Sequence, residues 1–245
     1  MIVTEAPSPN FGPRVNGKTP TLLILHYTDT VTGFEALKIL QDPAREVSSH
    51  YLVDDDGTIL RLVPEEMRAW HAGKSLWQGE ADLNSRSIGI EIQNPGHGHG
   101  YVPFPDVQMR SVADLCRDII ARHNILPYHV LAHSDIAPAR KIDPGEFFPW
   151  ASLAAQNIGL WPQPTDTERL DAEEEKTPEP TLIDLLTRYG YDAGCDVKTL
   201  ITAFQRHYEP EVFADDDTVG TITPRTLARA KALVRQRLAL RPKVL

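Results

Sequence analysis

Thr21-Leu22-Leu23-Ile24-Leu25-His26 follows Pro20 as four aliphatic side chains closed by an imidazole. The run is too short for a helix and suits a central strand buried on both faces. Two other short strands end in the same manner. Ile88-Gly89-Ile90 runs into Glu91, and Val130-Leu131-Ala132 runs into His133. A core would choose none of these three polar endings. If the strands are neighbours running alike, two imidazoles and a carboxylate converge on one edge of the sheet, where α/β folds place their sites.

Outward from these strands the pattern alternates. Thr32-Gly33-Phe34-Glu35 has capping-box spacing and opens a helix through Leu40. Residues 50–53 and 58–63 read as a hairpin with its turn at Asp56-Gly57. From Asp106 to His123 the residues Val112, Leu115, Cys116, Ile119 and Ile120 fall on one helical face. The expected fold class is α/β: a central mixed β-sheet flanked by helices.

Residues 162–180 break the pattern. They hold four prolines and seven acidic residues against Arg169 and Lys176, with almost no apolar content. Such composition buries too little surface to offset the entropy of ordering it, so it reads as an acidic Pro-rich linker. It separates a domain over residues 1–161 from a small all-α domain over residues 181–245. Helices are expected there at Leu182–Tyr189, Val197–Tyr208 and Pro224–Leu240, with Gly190 ending the first and Thr223-Pro224 starting the third.

The 245 residues carry 41% hydrophobic and 24% charged side chains, ordinary for a globular chain, so wholesale disorder is excluded. A net charge of −9 argues against nucleic-acid binding through bulk charge. No stretch approaches the roughly 18 apolar residues of a membrane span. Two cysteines, Cys116 and Cys195, exclude a disulfide framework and a cysteine-rich zinc module. Cys116 falls on a helix's apolar face and reads as core rather than nucleophile.

Ten residues after His133 comes Asp143, and two histidines with one carboxylate form a ligand set for catalytic zinc whose fourth position is left to water. A histidine at a strand end is equally a common hydrogen-bonded structural residue, so spacing alone decides little. Ser134 and Asp135 beside His133 imitate a catalytic triad in sequence order only. No HExxH helix is present, which ranks a protein-directed zinc peptidase last.

Five motifs occur in order: Leu23-Ile24-Leu25-His26-Tyr27, Ser48-Ser49-His50-Tyr51-Leu52-Val53, Ala69-Trp70-His71-Ala72-Gly73, Ser87-Ile88-Gly89-Ile90-Glu91, and the segment from His133 through Arg140-Lys141-Ile142-Asp143-Pro144-Gly145-Glu146. Together, over roughly residues 18–155, they resemble the zinc-dependent N-acetylmuramoyl-L-alanine amidases of the AmpD/AmiD type. The resemblance implies one Zn2+ held by His26, His133 and Asp143. It implies a water activated at the ion and a polarised carbonyl at the bond between N-acetylmuramic acid and L-alanine. Glu91 matches the family's catalytic glutamate, which takes the water's proton and passes it to the departing amine. Lys141 matches the basic residue that steadies the oxyanion. The runner-up function is a non-catalytic peptidoglycan or muropeptide recognition protein.

His50, His71 and Asn94 are expected substrate contacts, each with a plainer alternative. His71 is also readable as a stacked structural histidine, and Asn94 as a turn residue. His50 and Tyr51 alternate across a strand, so just one of them faces the cleft. Gly96-His97-Gly98-His99-Gly100 reads as a mobile turn rather than a metal loop.

Residues 185–194, Ala203-Phe204-Gln205-Arg206-His207-Tyr208 and residues 217–226 resemble the small three-helix peptidoglycan-binding domain appended to many wall hydrolases. Phe204 is the expected core aromatic, with Gln205, Arg206 and His207 partly exposed. Asp217-Thr218-Val219-Gly220 departs from that domain's usual Asp-Gly. The Lys and Arg residues between Arg225 and Lys243 read either as a solvated face or as attraction to anionic wall polymer. A wall-binding tail favours the cell envelope or periplasm. An N-terminus with neither basic nor apolar signal regions favours the cytoplasm.

Overall fold

The computed structural model describes residues 1–214 and 216–240. Its strands are β1 (Val3–Glu5), β2 (Phe11–Pro13), β3 (Leu22–Tyr27), β4 (Tyr51–Val53), β5 (Ile59–Arg61), β6 (Met67–Ala69), β7 (Ser87–Ile92) and β8 (Val130–Ala132). Its α-helices are α1 (Gly33–Gln41), α2 (Gly96–His99), α3 (Asp106–His123), α4 (His133–Ile136), α5 (Trp150–Ala154), α6 (Asp166–Glu173), α7 (Pro178–Tyr189), α8 (Val197–Tyr208) and α9 (Pro224–Ala239). No helix among the described residues is long and apolar enough to cross a membrane.

Six strands form one sheet in the order β1-β5-β4-β7-β3-β8, and β2 pairs with β6 separately. β4, β7, β3 and β8 run parallel, while β5 returns antiparallel to β4 and carries β1 parallel beside it. The three strands with polar endings are therefore adjacent and run alike, as their sequences suggested. The mixed central sheet with flanking helices is also as expected.

Strand alternation divides the sheet into two chemically different faces. Leu23, Leu25 and Tyr27 join Ile88, Ile90 and Ile92 on the back, under Val112, Leu115, Cys116 and Ile119 of α3. Each such fully buried aliphatic side chain contributes about 1.5–3 kcal/mol. Leu22, Ile24 and Leu131 face the front, where they share a cluster with Leu182, Leu186 and Tyr189 of α7, Leu200 and Phe204 of α8, and Leu227 and Leu233 of α9. The C-terminal helices thus pack on the sheet that carries the site. Gly190 ends α7 against Trp77, where a Cβ would come within 2.6 Å of the indole.

Two expectations change here. Residues 162–180 contain α6, which is capped reciprocally by Thr165 and Glu168, buries Ala172 and packs on α9. Glu168 also pairs with Arg235, and Asp171 with Lys231, between the two helices. Those pairs, with Arg225–Glu209 and Arg229–Glu211, also occupy much of the basic face of α9 internally. Arg241 and Lys243 lie outside the described residues, as does the end of the tail from residue 241. Phe204 is core, but Gln205 and His207 are buried with it, and just Arg206 of the three is part-exposed.

Candidate active site

Register builds the site. His26 stands opposite Glu91 across β3 and β7, and Ile24 stands opposite Leu131 across β3 and β8. Two residues past that last pair come His26 and His133, on one face by alternation. Asp143 arrives on the loop after α4, held when the Ser134 N–H donates to the Asp143 carbonyl at 3.0 Å.

His26 Nδ1 lies 2.9 Å from His133 Nδ1, and each is 3.0 Å from Asp143 Oδ2. All three residues are buried. The neighbours of both rings assign their hydrogens to Nε2: His133 Nε2 meets the Ala72 carbonyl at 3.2 Å, and His26 Nε2 meets His71 Nδ1 at 3.0 Å, an acceptor because His71 Nε2 donates to Ser87 Oγ, whose own hydrogen goes to the Leu83 carbonyl. In the neutral rings, two nitrogen lone pairs and a carboxylate oxygen then face one another with no hydrogen between them. That arrangement repels itself unless a cation sits among the three, so the donor set fits a metal. Burial, the largest cause, lowers the pKa of His26 to about 4, which favours its neutral form.

These groups open into a pocket of about 380 Å3. Glu91, Lys141, Arg140, His71 and His97 share its polar wall, and Ile39, Leu40, Val47 and Trp70 its apolar one. Glu91 is part-exposed, yet its Oε2 is shielded and has no hydrogen-bond partner among the described residues. Desolvation, then the Asp143 charge, push its pKa well up, and Lys141 partly offsets them. A carboxyl poised to exchange a proton thus shares the pocket with a cation.

Two expected substrate contacts lie elsewhere. His50 is fully buried beneath the sheet face, accepting from the Gly89 N–H at Nδ1 and meeting the Met67 carbonyl and Arg14 through Nε2. With both nitrogens occupied it has nothing to offer a ligand. Tyr51 does not replace it, because it points into the back core. Asn94 is buried as a turn residue, donating to the Val102 carbonyl and accepting from the Gly96 N–H. His71 does reach the pocket, but both its nitrogens are bonded. Gly96–His99 is a short helix rather than an open turn, and His97 is pinned between Tyr27 and Glu146.

Sequence reasoning missed Arg140, Trp70, Asn84 and Ser87. Period-two spacing from Glu91 back through Gly89 to Ser87 was the available signal for the last. Asp135, dismissed as a triad mimic, is fully buried and clasped by the C-terminal helical region. It accepts from Tyr191 Oη at 2.5 Å and from His207 Nδ1 at 2.7 Å.

The family model of N-acetylmuramoyl-L-alanine amidases matches residues 16–146. The chain is 40% identical over 237 residues to the N-acetylmuramoyl-L-alanine amidase AmiD of Escherichia coli, covering 87% of this chain and 82% of that one. The 1,6-anhydro-N-acetylmuramyl-L-alanine amidase AmpD of the same species is 34% identical over 164 residues, 60% of this chain and 87% of that one. Among solved structures, AmiD in complex with the substrate anhydro-N-acetylmuramic acid-L-Ala-D-γ-Glu-L-Lys superposes with a TM-score of 0.78 at 39% identity, covering 92% of this chain and 90% of that one. AMPDH3 of Pseudomonas aeruginosa superposes at 0.80 with 32% identity, covering 91% and 94%. The chain belongs to the N-acetylmuramoyl-L-alanine amidase family.

Proposed function

We propose that the protein is a zinc-dependent amidase that hydrolyses the bond between the lactyl group of N-acetylmuramic acid and the L-alanine of the stem peptide. One observation carries the reading: a buried His-His-Asp donor set whose three atoms converge, in the same pocket as a raised-pKa glutamate and a lysine. Family membership and the muropeptide seen in the AmiD complex support the substrate class.

His26 and His133 through Nδ1, and Asp143 through Oδ2, would hold the ion. Zinc so held supplies Lewis acidity for the scissile carbonyl and the attacking water. Glu91 takes the proton of that water, and its elevated pKa suits it to keep the proton until the amine of L-alanine departs. Lys141 supplies positive charge for the tetrahedral oxyanion. An amide leaves poorly, so acid assistance and oxyanion stabilisation are both needed. The apolar wall around Trp70 gives the muropeptide a surface to lie against. The C-terminal helical region serves peptidoglycan binding in this reading, which favours work at the cell envelope over cytoplasmic recycling.

The test is mass spectrometry of products from purified sacculi, and separately from soluble anhydro-muropeptides, with and without a zinc chelator. Stem peptides with a free L-alanine amine, abolished by chelator and by His133→Ala, are the expected products. Release from sacculi supports the envelope role, and release from soluble fragments alone supports recycling. Intact substrates in both incubations overturn the enzyme and leave a recognition protein. Chelator-insensitive release overturns the zinc.

A further inference from the structure

His71 occupies an odd place for a substrate contact. Its ring lies flat on the sheet over Gly89, where any Cβ would approach it to 2.5 Å, and both its nitrogens are spent within the protein. Donor and acceptor counting runs through it in one direction. Ser87 Oγ has one hydrogen and gives it to the Leu83 carbonyl at 2.7 Å. Its remaining contact, His71 Nε2 at 3.1 Å, is therefore one in which the imidazole donates. A neutral ring that donates at Nε2 accepts at Nδ1, so His26 Nε2 must donate across the 3.0 Å contact. The lone pair of His26 is left at Nδ1, the atom that faces His133 and Asp143.

The next residue does the same for the second ring. The Ala72 carbonyl accepts from His133 Nε2 at 3.2 Å, which leaves the His133 lone pair at Nδ1. Arg140 Nη2 also lies 3.4 Å from His133 Nε2, but its two hydrogens go to the carbonyls of Ala72 and Lys74 at 2.9 and 3.0 Å, so it leaves none for that nitrogen and the Ala72 carbonyl accepts from both side chains. The whole His71–Ala72 segment is clamped by one side chain: Asn84 Oδ1 accepts from both backbone N–H groups, at 3.0 and 2.8 Å.

We infer that Ser87, His71 and Asn84 are positioning residues that fix the tautomer and ring plane of His26 and His133, so that both present Nδ1 to the ion. This rests on the metal reading of the site proposed above and assigns His71 a different task from touching substrate. No proton is gained or lost in the arrangement. It works by denying each imidazole its alternative tautomer, in which the hydrogen would sit where a metal must bind.

The experiment measures Zn2+ affinity of the full chain by competition with a chromophoric chelator, alongside thermal melting of each metal-free variant. His71→Leu fills the space without an acceptor and should weaken zinc by about 10- to 100-fold. His71→Gln offers an amide oxygen to His26 and an N–H to Ser87, so its affinity should stay within about fivefold of wild type. Ser87→Ala frees the His71 ring to flip and should cost about three- to tenfold. A purely structural role would instead lower melting temperatures and leave affinities alone. If His71→Leu binds zinc as tightly as His71→Gln, the inference is overturned. Should His71→Leu fail to fold, Ser87→Ala decides: wild-type affinity overturns the inference, and weakened affinity in a folded protein upholds it. A wild-type chain that takes up no zinc overturns the metal reading as well, whereas unchanged affinity in the variants overturns this inference alone.

Discussion

On the back of the sheet β3 contributes Leu23, Leu25 and Tyr27, and on the front, one residue out of step, Leu22, Ile24 and His26. The back ends in packing against α3. The front begins in packing against the C-terminal helices and ends in the site that holds His26, Glu91 and His133. The same six residues thus supply a core and a catalytic edge, and a shift of register by one would exchange them. The candidate site draws on the ends of three strands and on the loop after α4, all on the front, so the two faces should respond to substitution in different measurements.

The largest separation is expected on the front. Glu91→Gln keeps shape and removes the proton acceptor, so kcat for muropeptide hydrolysis should fall by about 100- to 10,000-fold. Bound zinc and melting temperature should stay at wild-type values. Glu91 is not among the three ligands, and the neutral amide that replaces it escapes the desolvation that raises the carboxyl's pKa. Steady-state kinetics with metal analysis would check it. Near-normal turnover would mean that another group takes the proton and that the front edge is not built around β7.

The back should show the converse. Leu115→Ala opens a cavity under Leu25 and Ile90 within one cluster and should cost about 2–5 kcal/mol in denaturant unfolding. Activity per folded molecule should not change. A proportionate loss of kcat would show that the faces are coupled through the sheet rather than divided by it.

At the rim of the back face, Glu65 bonds Tyr51 of β4 and Arg122 and His123 at the end of α3. Burial would raise its pKa, but bonds from Arg122, His123 and Tyr51 outweigh that and bring it down to about 2. A carboxyl with a depressed folded pKa gives stability that is present above its ordinary pKa of 4.5 and is lost as pH falls toward about 2. Wild type and Glu65→Gln should therefore differ most in unfolding free energy near neutral pH, with the gap closing on acidification through that window. A gap that stays constant with pH would assign the rim to packing alone.

How much of this was readable follows from where the physical cause lies. β3, β7 and α3 were legible because periods of two and 3.6 are local, and their polar endings stood out against apolar runs. His26 and His133 stood out for the same reason, whereas Asp143 joined them through the family resemblance, and their convergence depended on strand order. β1 (Val3-Thr4-Glu5), β2 (Phe11-Gly12-Pro13) and β6 (Met67-Arg68-Ala69) carry no apolar run, unlike the equally short Val130-Leu131-Ala132 of β8, so nothing local marks them as strands. His50 was misplaced because alternation shows that one of His50 and Tyr51 faces the cleft's side, but not that the Gly89 amide and the Met67 carbonyl will occupy the ring there. The acidic segment misled most. Its composition lacks the apolar surface for folding alone, and α9, the helix it packs on, starts more than forty residues downstream of the segment, at Pro224.

The smallest expected effect bears on how the front face is closed. Were residues 162–180 a free tether, the C-terminal helical region would unfold independently of the sheet. Instead Asp135, two residues past His133 on α4, is bonded by Tyr191 and by His207, whose ring stacks between Trp150 and Tyr208 at centroid distances of 3.8 and 3.7 Å. Tyr191→Phe removes one bond to that buried carboxylate and should cost about 1.5–3 kcal/mol. His207 and the Ala132 N–H still hold Asp135, so zinc affinity should shift little. The informative quantity is the number of transitions. Shared burial of Leu22, Ile24 and Leu131 with α7, α8 and α9 predicts one cooperative calorimetric transition in both proteins, lower in the variant. Two separated transitions, with just the C-terminal one displaced by Tyr191→Phe, would restore the tether and make the front face complete without its helices.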